Sequence, residues 1–149
     1  MSLPSYESGV SEVPLLGETI GQNLRRTVAA YGDHEAMVEW PGISKCTLIV
    51  EGAPRNGLGA IRRITASGLT LDEQVVTWEP PGRYEYRIIR GLPVKHLGTV
   101  RLRAHHGGTE VVWRVELRSR VPMVAELVGA ALRVGLGRAL RYFSASFAN

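Results

Sequence analysis

Cysteine is almost missing from this chain: Cys46 is the single one among 149 residues. An internal disulfide is thereby excluded, and a lone thiol fits a reducing compartment, so the cytoplasm is the expected location. No apolar run approaches the roughly 20 residues of a membrane span. The N-terminus has no basic stretch followed by an apolar one, so no secretory signal is expected. Low-complexity tracts are lacking as well. What remains has the length and composition of one globular domain with a real core, too short for two comfortable ones.

Charge is present but unevenly placed. Residues 1–44 carry six acids and two bases, net −4, whereas residues 45–149 carry eight acids and sixteen bases, net +8. A sign change that sharp suggests two origins or an interface between two parts. The basic part does not read as a nucleic-acid binder. Arg101 and Arg103, and Arg114 and Arg118 with Glu116 between them, alternate as on a solvated sheet face, and no aromatic-interleaved RNA signature accompanies them.

Hydrophobic periodicity organises the rest. Pro122 to Phe147 reads as one amphipathic helix, with Val128, Leu132, Leu136, Ala139, Leu140, Phe143 and Phe147 on one stripe and Glu126, Arg133, Gly137 and Arg141 opposite. Pro122 suits a first helical position. Gly129, Gly135 and Gly137 each cost about 1 kcal/mol of helix propensity, which suggests close approach to the sheet or to a ligand. Upstream, strands are predicted at 46–50, 58–65, 70–78, 84–90, 98–105 and 110–120, separated by turn signals such as Ser67-Gly68 and Pro80-Pro81-Gly82. Their spacing implies an antiparallel meander. Val111, Trp113, Val115 and Leu117 share one face and Arg114, Glu116 and Arg118 the other, so one side is apolar and the final helix is its cover. The N-terminal part is read as a mobile leader over 1–16, a short helix from Glu18 to Tyr31, and a strand from Ala36 to Trp40.

Several motifs come to nothing. GLGAIR (57–62) lacks the third glycine and the following helix of a dinucleotide loop. His96, His105, His106 and Cys46 have no metal-ligand spacing, and the histidines read as solvated turn residues. No serine or cysteine sits on a strand-to-helix elbow. No metal and no cofactor are expected. Arg62 is different. Alternation sets it with Leu58, Ala60 and Ile64 on the concave face, where a buried arginine needs either a carboxylate ligand or an internal acid such as Glu73 or Glu79.

The run WPGISKCTLIVEG, then GLGAIRRI, VVTWEPPGRYEYRIIRGLPVKHLGTVRL and GGTEVVWRVEL before the last helix, resembles the polyketide cyclase/dehydrase and lipid-transport branch of the START-like (SRPBCC) superfamily over about residues 40–147. The resemblance implies an α+β helix-grip fold, a curved antiparallel sheet covered by a long C-terminal helix. By contrast, PLLGETIGQNLRRTVAAYGDHEAMVE (14–39) resembles the start of fatty-acyl-CoA synthetases of the AMP-binding superfamily. That divides the chain into a leader (1–16), an acyl-CoA-synthetase-like segment (17–43) and a START-like domain (44–149) lacking its usual first strand and helices. Adenylating activity is not expected, since neither the phosphate loop nor the catalytic lysine segment is present. A missing first strand implies an open sheet edge and a homodimer through it.

The function these features imply is binding, transport or sequestration of a hydrophobic small molecule (a lipid, fatty acyl group or polyketide) between sheet and helix. The residues expected at that ligand are Arg62, Tyr84, Tyr86, Trp113, Leu132 and Leu136. One alternative is a polyketide cyclase or dehydratase working through Arg62, Tyr86 and His105. Another is a non-functional fusion fragment or an accessory of an acyl-CoA synthetase.

Overall fold

Among the described residues seven strands form one antiparallel sheet, and their chain order is the expected meander with one addition. A computed structural model of the chain describes residues 6–17, 35–105 and 108–146. The strands are β1 (Tyr6–Gly17), β2 (Ile43–Val50), β3 (Ile61–Ala66), β4 (Leu69–Glu79), β5 (Arg83–Arg90), β6 (Lys95–His105) and β7 (Gly108–Ser119), followed by helix α1 (Val124–Ser146). Spatially they run β1-β7-β6-β5-β4-β3-β2. Consecutive strands from β2 to β7 are thus neighbours, and short turns suffice to join them. Ser67 and Gly68, both at positive φ, make the tight β3–β4 hairpin.

β1 is the addition. It pairs antiparallel with β7 from Tyr6 opposite Ser119 to Gly17 opposite Thr109. The leader expected over 1–16 is therefore a strand, and the domain does not lack its first one. Pro14, a residue that argues against a strand, is tolerated because β1 has a neighbour on one side only. The edge on which a homodimer was expected is occupied by β1. Glu35–Glu39 is a single 3₁₀ turn rather than a strand. Its bond from Trp40 N–H to the Met37 carbonyl, 2.9 Å, draws the backbone too tight for a ladder. The helix expected over Glu18 to Tyr31 lies outside the described residues.

Register shifts between Ser8 and Ser11, Ile43 and Lys45, Leu48 and Val50, Asp72 and Glu73, and Val75 and Thr77 interrupt the ladders. Such bulges bend and twist a strand, which lets the sheet wrap. The inner face is Ile64, Leu71, Val75, Tyr84, Tyr86, Val100, Leu102, Val111, Trp113, Val115 and Leu117, all buried. The outer face is a lattice of charges. Glu85, for example, accepts from Thr77 and Arg83, and its carboxyl is held below the usual range because these bonds outweigh the cost of burial.

α1 lies against β1 and β7. It begins two residues later than the sequence suggests, because Met123 has φ +67° and is not helical. Ser119, buried at the end of β7, accepts the Val121 N–H at 3.1 Å and shapes the turn. Ala125 and Ala139 are buried, and Val128, Leu132 and Leu136 pack part-buried on the core, in keeping with the apolar stripe. The helix glycines do not mark a close backbone approach. A Cβ on Gly129 would meet only the Leu117 side chain at 3.4 Å, and one on Gly135 or Gly137 nothing within 4 Å.

Because β1 seals the β7 edge, a chain beginning at Glu18 is expected to lose its single cooperative urea transition and to elute as soluble aggregate in size-exclusion chromatography. A monomer with unchanged transition would refute that role for β1.

Candidate functional site

Two arginines next to each other on β3 face two acids next to each other on β4. Arg62 lies opposite Glu73, and Arg63 opposite Asp72. Alternation sends the two pairs to opposite faces, and their geometry differs accordingly. The outer pair is a two-pronged fork: Arg63 Nε donates to Asp72 Oδ1 at 2.8 Å and Nη2 to Oδ2 at 2.9 Å. In the inner pair, Arg62 Nε and Nη2 both converge on the single oxygen Oε2 of Glu73, each at 2.6 Å. Arg62 is 2 % exposed, and its Nη1 is buried with no hydrogen-bond partner among the described residues.

Aromatic rings enclose this pair. The Arg62 guanidinium carbon stands 5.4 Å from the centre of the Tyr86 ring, in range for a cation–π contact. Trp113 Nε1 donates to the Tyr86 hydroxyl at 2.8 Å. Tyr84 packs tilted on Tyr86 at 6.3 Å, and Trp40 meets Trp113 edge-on at 6.1 Å. The Tyr86 ring has room because Gly98 lies opposite it on β6. A Cβ on Gly98 would overlap Cζ, Cε1 and Oη of Tyr86. Glycine inside a strand is the sequence signal for such an approach.

Burial alone would favour loss of the Arg62 proton, but Glu73, with smaller help from Tyr84 and Tyr86, more than offsets it and raises its proton affinity. Burial likewise raises both tyrosines, so they remain phenols at physiological pH. His96 belongs to the same cluster, its ring 5.3 Å from that of Tyr86. It is buried, not a solvated turn histidine, because β6 starts at Lys95 and alternation carries His96, Gly98 and Val100 to the inner face. Burial lowers its pKa, only partly opposed by Glu73, so it is neutral at pH 7. Its Nδ1 has no partner among the described residues.

The structure therefore brings Arg62, Tyr84, Tyr86 and Trp113 together on the inner face, with Leu132 and Leu136 on the helix that packs over the same core. Glu73 is the internal acid that Arg62 requires. Leu58 does not join them. Gly59, at φ +86°, breaks the alternation before β3, and Leu58 is 54 % exposed. Trp78 packs part-buried on the core, its ring 5.9 Å from Tyr84. The side chain of His105 lies outside what is described. No cluster of three or more potential metal ligands occurs among the described residues.

A curved antiparallel sheet gripping a C-terminal helix over a buried polar cluster is the helix-grip architecture, and solved structures agree. The ginseng (Panax ginseng) major latex-like protein 151 superposes with a TM-score of 0.73 at 14% identity, covering 95% of this chain and 98% of that one. A START superfamily protein from Mycobacterium smegmatis gives 0.72 at 11% identity, over 95% and 97%. Norcoclaurine synthase from Thalictrum flavum gives 0.68 at 15%, over 95% and 86%. Among curated proteins none matches in sequence. The family model for polyketide cyclase / dehydrase and lipid transport matches residues 20–145, and the chain belongs to that family. The match takes in most of residues 14–39, so the likeness of that stretch to acyl-CoA synthetases gains nothing from it. Among the described residues no helix is long and apolar enough to cross a membrane.

The cluster makes two testable demands. Removing one partner of a buried ion pair strands the other, so Arg62→Leu should cost about 3–5 kcal/mol in urea unfolding, whereas Arg62→Leu with Glu73→Leu should be close to neutral. Equal losses would show that the two do not act as a pair. His96 has its pKa lowered by folding from 6.5, so below pH 6.5 the unfolded chain binds a proton that the folded chain resists. Stability should therefore fall as pH drops from 7 toward 5, and His96→Phe should flatten that slope. An unchanged slope would contradict a buried neutral imidazole.

Proposed function

We propose that the protein binds a hydrophobic small molecule, of the class of lipids, fatty acyl groups or polyketides, between the inner face of the sheet and α1, for carriage or sequestration. The observation that carries this reading is the composition of the inner face. The Tyr86 ring lies against the guanidinium of Arg62, Tyr84 and Trp113 pack on Tyr86, and the helix supplies Leu132 and Leu136, which the protein itself buries only in part. An apolar wall with few fixed polar groups is the usual form of a small-molecule site, the wall giving affinity and the polar groups orientation. Membership of a family described by cyclisation, dehydration and lipid transport supports the same class of ligand.

A second reading, catalysis of cyclisation or dehydration on a polyketide, is favoured by one observation: ionisable Arg62, Glu73, Tyr86 and His96 sit inside an otherwise apolar interior. Donors fixed beside a carbonyl stabilise the negative charge that develops on its oxygen when the adjacent carbon loses a proton. The two readings separate on Arg62. A catalyst loses turnover with its replacement, whereas a carrier has no turnover to lose.

A fluorescent apolar dye should bind the purified protein with quenching or transfer from its tryptophans. Leu136→Asp, which sets a charge on the wall, should weaken that binding at least about ten-fold, the cost of an unpaired carboxylate at an apolar surface. Undiminished affinity would remove the sheet–helix groove as the site.

A further inference from the structure

We propose that the solvent face of α1, with the turn that leads into it, docks on a membrane surface bearing anionic lipid headgroups. The helix would lie along that surface and not cross it. This inference is independent of the ligand groove, which uses the opposite side of the same helix.

The first argument is where the exposed apolar side chains are. A helix lying on a sheet ordinarily turns a polar face to solvent. Here the four most exposed large apolar side chains among the described residues are Val121, Met123, Leu127 and Val134, each between 55 % and 67 % exposed. All four lie at the entry to α1 or along its first half. Leu127 and Val134 are about two helical turns apart on one side of the helix, and Ala130 and Ala131 between them are exposed as well. Ala125, Leu132, Leu136 and Ala139 pack on the core from the other side. The exposed ridge therefore adds nothing to the core. Scattered apolar side chains on a surface are ordinary, but a contiguous ridge marks a contact surface.

The second argument is charge, and it decides what lies against the ridge. Residues 120–146 carry Arg120, Arg133, Arg138 and Arg141 against one acid, Glu126, net +3. All four arginines are exposed, and Arg138 and Arg141 continue the line of Leu127 and Val134 along the helix. A second copy would set one such cationic face against another, so self-association here is disfavoured. An anionic bilayer satisfies both halves of the face. Its boundary between headgroups and acyl chains takes the apolar side chains, while the long arginine stems carry guanidinium groups to the phosphates. A ridge offers an acidic partner protein no groove to fill, whereas a fluid interface closes around it.

Co-sedimentation of the full chain with phosphatidylcholine vesicles, with and without phosphatidylglycerol, tests this. Binding should appear with the anionic lipid and weaken as sodium chloride is raised. Leu127→Glu with Val134→Glu should weaken it at least about ten-fold, because two apolar side chains no longer leave water. Arg138→Gln with Arg141→Gln should weaken it about five-fold for each arginine removed. These positions are exposed, so the urea midpoint should stay where it is. No binding to anionic vesicles, equal binding to neutral ones, or binding kept in the double glutamate variant overturns the proposal. So does a wild-type dimer that the same variant dissolves, which would give the face to a second copy, and so does a chain that ignores vesicles but binds an acidic amphipathic peptide through it. A second readout needs no variant. Met123 is exposed, and peroxide converts its thioether to the sulfoxide. Saturating anionic vesicles should slow that oxidation several-fold, followed by mass spectrometry, and an unchanged rate overturns the proposal.

Discussion

A single buried charge pair sets the terms for the rest of this fold. Arg62 and Glu73 meet across β3 and β4 on the inner face of the sheet, which β5, β6 and β7 line mainly with apolar and aromatic side chains. An ion pair there must be enclosed to be specific and must be satisfied to be tolerated. Aromatic residues of β5 and β7 pack beside it. Tyr86 lies under the guanidinium, Trp113 fixes the Tyr86 hydroxyl, and Gly98 leaves the space in which the Tyr86 ring lies. Satisfaction is only partial: Nη1 of Arg62 is buried with no hydrogen-bond partner among the described residues.

The contrast with the outer face supports that view. Arg63 and Asp72 have the same chemistry, the same strands and adjacent register, yet they close into a complete fork beside solvent. Water would have satisfied any remainder there. Both arginines donate through Nε and Nη2, and the surroundings, not the residue types, leave Nη1 of Arg62 buried without a partner among the described residues. The same reasoning explains why a neutral His96 belongs to the cluster: a second cation beside Arg62 would have a single carboxylate to share.

Much of this arrangement is legible in the residues alone. Period-two alternation on β5 and β7 is enough to put Tyr84, Tyr86 and Trp113 inside, and the turn residues at 67–68 and 80–82 fix which strands are neighbours. Arg62 falls on the inner face for the same reason, and Glu73 is one of two acids expected to meet it. Other features escape a reading of that kind. β1 has no clean alternation and contains Pro14, because a strand with one neighbour is under weaker constraint than a central one. Gly59 hides the break in alternation that turns Leu58 outward. His96 looks like a turn residue as long as β6 is started at Gly98, although counting back from Val100 in steps of two puts it inside. No sequence pattern reveals that Arg62 uses one oxygen of Glu73 rather than two.

The most direct measurement is a high-resolution crystal structure of the protein grown with a saturating apolar ligand. Its alkyl chain should lie between Tyr86, Trp113 and the Leu132–Leu136 face of α1. A chain bound elsewhere, or no ligand bound at saturation, would contradict a site between sheet and helix.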